Sequence, residues 1–130
     1  MTIKNLLILR VQHAQITIPN GTETAARKFY CDLLGLKEIP KPEVLQTRGG
    51  LWLEIGGFQI HVGTEDDFDR TKTKAHIAYE VENLDAWREK FAESGVEVME
   101  GIPIPHFSRF EFRDPFGNRV EFLESLEKFS

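Results

Sequence analysis

The chain has 130 residues, 41% of them hydrophobic and 28% charged, with ten Phe and two Trp, a composition that suits a folded domain with its own core and excludes a disordered chain. Its formal net charge of −5 offers no basic field for phosphates, and no run reaches the roughly 18 consecutive apolar residues of a membrane span. A small molecule or another protein is therefore the expected partner, with no nucleic acid and no membrane; the short apolar run LLIL is followed by no small-residue cleavage site, so the cytoplasm is the expected location.

In chain order, VQHAQITI (Val11–Ile18) alternates as a strand does, with His13 on the face opposite most of the apolar residues. Asn20 and Glu23 resemble a capping pair for a helix that carries Ala26, Phe29, Tyr30, Leu33 and Leu34 on one stripe, and Gly35 stops it. The lone cysteine, Cys31, lies in that helix and reads as a passive residue. Three short strands follow, KEIP, GLWLEI and FQIHV, the last two joined by Gly56 and Gly57. The charged stretch Thr64–Lys74 reads as a connection. KAHIAYEV (Lys74–Val81) then restarts the pattern with His76, Asn83 caps a second helix bearing Leu84, Trp87, Phe91 and Ala92, and Gly95 ends it. VEVM, RFEFR and RVEFL complete the half, the last two joined by the turn DPFGN. Each half is β-α-β-β-β. The fold class is α+β, a single domain over residues 1–130 with module one at about 8–64 and module two at about 74–124.

The register of the repeat follows from residue numbers. Gly35 and Gly95, Gly57 and Gly117, and Ile60 and Val120 are each 60 apart, which makes His61 the counterpart of Glu121. His13 and His76 are 63 apart and correspond if the second half has the shorter connection from strand to helix. Alternate strand residues point to opposite faces, so His61 and Glu121 turn away from their apolar neighbours and His13 and His76 can look into the space that the sheets enclose. An ionised carboxylate in a concave, partly dry site needs a cation. Three imidazoles and a carboxylate suit a divalent zinc, nickel, iron or manganese ion; the alternative for Glu121 is an ion pair with Arg109 or Arg119. Arg48 and Arg109 are candidates to hold a substrate carboxylate through bidentate hydrogen bonds, the alternative being ordinary ion pairs. Phe107, Phe110, Phe112 and Trp52 are either pocket wall or core. His106, in the Pro-rich IPIPHFSR, has no counterpart in the first half and is left out of the metal set.

The paired modules, the helix ends FYCDLLGL and FAESGVEV, and above all DPFGNRVEFLE resemble the vicinal oxygen chelate superfamily, which includes glyoxalase I, extradiol dioxygenases, fosfomycin-resistance thiol transferases and bleomycin-resistance proteins. The likeness runs from about Leu9 to Glu124. It implies that each module curls a mixed sheet into a cup-like half-barrel, that the chain forms a homodimer, and that a metal is held by the first and last strands of each module. Those positions are His13, His61, His76 and Glu121. The activity implied is that of a glyoxalase-like, metal-dependent lyase or isomerase acting on a small oxygen-chelating substrate. His61, where many glyoxalases carry Glu, would be the fourth ligand or the catalytic base. The alternatives are a metal-free drug-binding protein of bleomycin-resistance type, or a dioxygenase or thiol transferase of the same superfamily; four ligand-type residues at the four positions count against the metal-free class.

Overall fold

The computed structural model describes residues 5–127, and the chain divides into two compact units that part between Asp66 and Asp67. The first unit contains β1 (His13–Ile18), α1 (Glu23–Arg27) running on into a π-helical stretch (Lys28–Leu33), β2 (Lys37–Ile39), a 3-10 stretch (Glu43–Arg48), β3 (Leu51–Ile55) and β4 (Phe58–Thr64). Its sheet has the order β1-β4-β3-β2, with β1 parallel to β4 and the other neighbours antiparallel. The second unit opens with a 3-10 turn (Arg70–Lys72) and continues with β5 (His76–Glu80), α2 (Leu84–Ser94), β6 (Met99–Glu100), β7 (Phe107–Arg113) and β8 (Arg119–Ser125). Its order, β5-β8-β7-β6, repeats the first with the same strand directions. Both sheets are mixed, curved and unclosed, so the α+β class and the two half-barrel modules are as the sequence implied.

Period-two alternation sorts each sheet's faces. In the first module Leu51 pairs with Val62 and Leu53 with Ile60 across β3 and β4, and all four are buried along with Ala26, Phe29, Tyr30 and Leu34 of the helix. The helical stripe is thus the core face, but its later part is π-helical, with the Leu34 amide returning five residues to the Phe29 carbonyl at 3.0 Å; the Leu36 amide, bonded to the Tyr30 carbonyl at 2.9 Å, closes the helix end. In the second module Phe91 of α2 is fully buried and meets Phe110, Phe112 and Phe122 with ring centroids 5.9, 4.7 and 5.8 Å away. Phe110 and Phe112 are therefore core.

The capping expectations divide. Asn83 accepts a hydrogen bond from the Ala86 amide and Gly95 takes the left-handed conformation that ends α2. Asn20 does not cap α1: its amide and side chain both donate to Asp66, at 2.9 and 2.7 Å, and Thr22 occupies the cap position with its hydroxyl donated to the Pro19 carbonyl instead of bonded to the helix. A charged carboxylate is a stronger acceptor than a neutral amide side chain offers the helix in return. The expected strand VEVM shrinks to Met99–Glu100, and the stretches Glu43–Arg48 and Arg70–Lys72 form 3-10 turns that periodicity gave no sign of. No helix among the described residues is long and apolar enough to cross a membrane.

Candidate functional site

In the first module the sheet register lines up Gln15, His61 and Trp52 on adjacent strands, with His13 beside Gln59 one row away. The rings form a stack. Trp52 lies on His61 at 3.8 Å between centroids with planes 4° apart, and His13 covers the other face of His61 at 3.9 Å and 17°. His61 is buried at 6% exposure, while His13 is exposed. Burial pushes the His61 imidazole below its usual titration range, and the neighbouring His13 pushes the same way. His61 Nε2 is bonded to Gln59 Oε1 at 2.9 Å, and His13 Nδ1 to Gln12 Oε1 at 2.6 Å. Each imidazole thus spends one nitrogen as a donor to a side-chain oxygen, which in the neutral ring leaves the other as a lone pair. These groups border an open cleft of about 650 Å³ whose rim includes Arg48 and Lys41.

In the second module β5 and β8 bring His76 and Glu121 together, with Nε2 3.1 Å from Oε1. His76 Nδ1 stands 2.9 Å from the Lys74 carbonyl, an acceptor only, so Nδ1 carries a proton; Nε2 then faces the carboxylate oxygen either as the second N–H of an imidazolium or, in the neutral ring, as a lone pair. Two lone pairs at that distance need a proton or a cation. Glu121 is buried at 7% exposure and its second oxygen accepts from Arg109 Nη1 at 3.3 Å. The same guanidinium donates to the Ile102 carbonyl at 2.8 and 3.0 Å. Glu111, directly opposite Glu121 in the register, is held by Arg119 through bonds of 2.7 and 2.6 Å, and this fork keeps the Glu111 carboxyl below the usual carboxylate range.

Residue by residue, the four ligand candidates are placed as two pairs, His13 with His61 and His76 with Glu121. Within each module, among the described residues, no third His, Cys, Asp or Glu joins the pair to complete a ligand group. Arg48 lies on the first cleft; Arg109 is committed to Glu121 and Ile102. His106 sits apart, in an exposed pair with Glu127. Cys31 is half-buried, and burial raises its thiol pKa away from reactivity. Sequence reasoning passed over Gln12, Gln59 and Lys41 in the first module and Glu111 in the second; alternation along β4, β7 and β8 would have put Gln59 on the face of His61 and Glu111 on the face of Glu121.

The donor chemistry fits a divalent metal in one respect and not in another. A histidine that gives one N–H to a carbonyl and turns its other nitrogen toward a carboxylate has the arrangement expected of a ligating imidazole, and His76 has it. The His13–His61 stack does not suit two ligands of one ion: imidazoles sharing an ion at ~2.1 Å radiate from it, with centroids ~4.5–5 Å apart and planes turned. At 3.9 Å and near-parallel, at most one of the two can ligate in this arrangement.

Two modules of one topology, each with a ligand-type pair on its first and last strands, lead to a known class. The sequence profile of the Glyoxalase/Bleomycin resistance protein/Dioxygenase superfamily matches residues 10–122, and the chain belongs to that superfamily. Among solved structures, a glyoxalase family protein from Bacillus anthracis is 40% identical, covers 94% of this chain and 99% of its own length, and superposes with a TM-score of 0.86. A lactoylglutathione lyase from Agrobacterium tumefaciens (18% identity, 90% and 94% coverage, TM-score 0.69) shares the fold. So does a genomically encoded fosfomycin resistance protein, FosX, from Listeria monocytogenes (21%, 89% and 91%, 0.71). Among curated proteins none matches the chain.

Proposed function

We propose that the protein is a cytoplasmic, homodimeric, metal-dependent lyase or isomerase of glyoxalase type, acting on a small substrate that offers two neighbouring oxygens. The observation that carries this reading is the His76–Glu121 contact: an imidazole nitrogen and a buried carboxylate oxygen 3.1 Å apart, two ligand-type atoms that a divalent cation would bridge. His76, Glu121 and a first-module His13 would hold the ion, within one chain or across a dimer. When bound, it would supply Lewis-acid polarisation of the substrate oxygens. The protein's own part is positional. Lys74 fixes Nδ1 of His76 as a donor, Arg109 bonds the second oxygen of Glu121, and the Arg119–Glu111 fork engages the carboxylate opposite it. His61 is the base in this reading, because the stack denies it a place beside His13 on the ion. Trp52 and His13 shield both ring faces from water, Gln59 holds Nε2–H, and Nδ1 is left to accept a proton. Arg48 would receive a substrate carboxylate at the rim of the cleft.

A second reading, a metal-free small-molecule binder, is favoured by one observation: Arg109 already gives Glu121 a cationic partner. Elemental analysis of untagged protein as isolated separates the two. The expected result is close to one transition metal per chain, lost in Glu121→Ala and His76→Ala and retained in His61→Gln. Protein without metal, and without thermal stabilisation on adding zinc, nickel or manganese, would overturn the first reading in favour of the second.

A further inference from the structure

We infer that the first-module cleft is a receptor for the carboxylate of a small organic acid, with Arg48 as the anchor and Lys41 as the second cation. This deepens the proposed function by naming a substrate class, and it rests on that reading only in taking the bound acid to be the substrate.

The inference starts from charge. The chain carries 21 Asp and Glu against 16 Lys and Arg, yet none of the residues lining this cleft is acidic. A second cleft of similar size, about 670 Å³ in the other module, shows the contrast: its lining includes Glu80, Glu82, Asp85 and Glu124. An open cleft with fixed cations and no carboxylate concentrates anions from an otherwise acidic protein's surroundings.

Arg48 is the exposed last residue of the 3-10 stretch, and among the described residues no carboxylate partners it. That sets it apart from Arg27, Arg88, Arg109 and Arg119, which hold Glu38, Glu100, Glu121 and Glu111 respectively. A planar guanidinium with its fork open matches the two coplanar oxygens of a carboxylate. Lys41 Nζ donates to the Gly49 carbonyl at 2.6 Å, which pins its ammonium to the peptide next to Arg48 and leaves its other donors available. The rest of the lining is neutral in formal charge: Gln15 packs over Gly63, where a Cβ would meet its amide at 3.1 Å, and the flat Trp52–His61 stack borders the same cleft. The cleft therefore offers two cations among otherwise uncharged groups, a lining suited to an acid whose remaining body is neutral.

The test uses benzoate, its neutral analogue benzamide, and phenylphosphonate on the full chain freed of metal with EDTA, at low salt. Isothermal titration measures affinity and the indole N–H signal of Trp52, one of only two tryptophans, reports occupancy by two-dimensional NMR. Benzoate should bind, shift the Trp52 signal and weaken as salt is added, while benzamide does neither. Arg48→Ala should weaken benzoate about tenfold or more, and Arg48→Lys should restore part of that. Among the described residues Arg48 makes no hydrogen bond or ion pair, so Arg48→Ala should fold as the parent does, which circular dichroism checks. Equal binding of benzoate and benzamide, unchanged binding in Arg48→Ala, or no binding of any probe would overturn the inference; phenylphosphonate binding where benzoate does not would overturn the carboxylate assignment. Metal content is measured separately. Protein that holds metal yet ignores benzoate sinks only this inference, and protein that binds benzoate but takes up no metal sinks only the metal reading.

Discussion

Arg109→Ala is the substitution that probes most directly what the buried Glu121 carboxylate depends on. Glu121 is 7% exposed, with one oxygen facing His76 and the other accepting from Arg109 at 3.3 Å. Removing the guanidinium leaves a buried carboxylate next to a second one, Glu111, which the strand register places directly opposite. Breaking a buried ion pair from one side costs about 3–5 kcal/mol. The Arg109 side chain keeps 18% exposure and the bond to Glu121 is long, which moves the figure toward the lower end of that range or beneath it. The lost bonds to the Ile102 carbonyl add about 1 kcal/mol. The expected loss in metal-free protein is about 3 kcal/mol. In Arg109→Ala/Glu121→Gln the neutral amide needs no counter-charge, so roughly half the loss should return. Arg27→Ala is the control: its pair with Glu38 leaves both side chains exposed, at 45% and 38%, and should cost about 1 kcal/mol or less. Urea unfolding followed by circular dichroism in EDTA measures all three. A loss from Arg109→Ala no larger than the Arg27→Ala loss, or a double variant no more stable than the single, would refute the account of Glu121 as a buried charge that Arg109 balances.

Two further expectations test the sheet that carries the cleft and the ion pairs of the second module. Gly50 has a φ of +79° and a Cβ there would drive into the Val62 carbonyl, so Gly50→Ala should lower stability by about 3 kcal/mol or more; Gly57→Ala, in the open β3–β4 turn at an ordinary φ, should stay within about 0.5 kcal/mol, both read from urea midpoints. Glu111 has its folded-state pKa depressed chiefly by the Arg119 hydrogen bonds, so the stability it contributes is complete above the ordinary carboxylate range and is lost as pH falls through that range to the folded value. Arg119→Gln should be less stable than the parent at neutral pH and lose less on acidification from about pH 6 to about pH 3; parallel stability curves for the two proteins would show that the pair contributes nothing.

The architecture was legible because period and punctuation agreed. Alternation gave the strands, the Ala26–Leu34 stripe gave the core face of the first helix, Asn83 and Gly95 bounded the second, and the constant offset between halves gave the repeat. The strand registers bear the equivalence of the histidines out: His13 pairs with Gln59 and His76 with Arg119, positions 60 apart. The shorter connection is real as well, since α1 begins ten residues after His13 and α2 eight after His76. What stayed hidden was competition between side chains. Nothing local to PNGTE says that Asn20 will be taken by Asp66, 46 residues on. Nor does the pattern RFEFRDPFGNRVEF decide which arginine serves which acid; Arg119 was as good a partner for Glu121 as Arg109 until the pairing of β7 with β8 was fixed.

That pairing also explains why a repeated fold carries two different sites. In the first module the paired residues Glu54 and Gln59 have four residues between them; in the second the paired residues Arg113 and Arg119 have five. The buried Asp114 carboxylate fixes the longer turn by accepting from the Phe116 and Asn118 amides at 2.9 and 2.8 Å and from the Asn118 side chain at 2.8 Å. One added residue shifts β7 against β8, so the residue opposite Glu121 is Glu111, where its counterpart opposite His61 is Trp52. A shift of one reverses which face a side chain takes. Without it Phe112, the position 60 after Trp52, would face Glu121 and no charge would stand against it; with it, Phe112 goes to the core and Glu111 arrives with Arg109 and Arg119 to balance two carboxylates. The turn DPFGN therefore does more than join two strands: its length makes one half of the duplication an aromatic, acid-free cleft and the other a charged site able to hold a carboxylate ready for a cation.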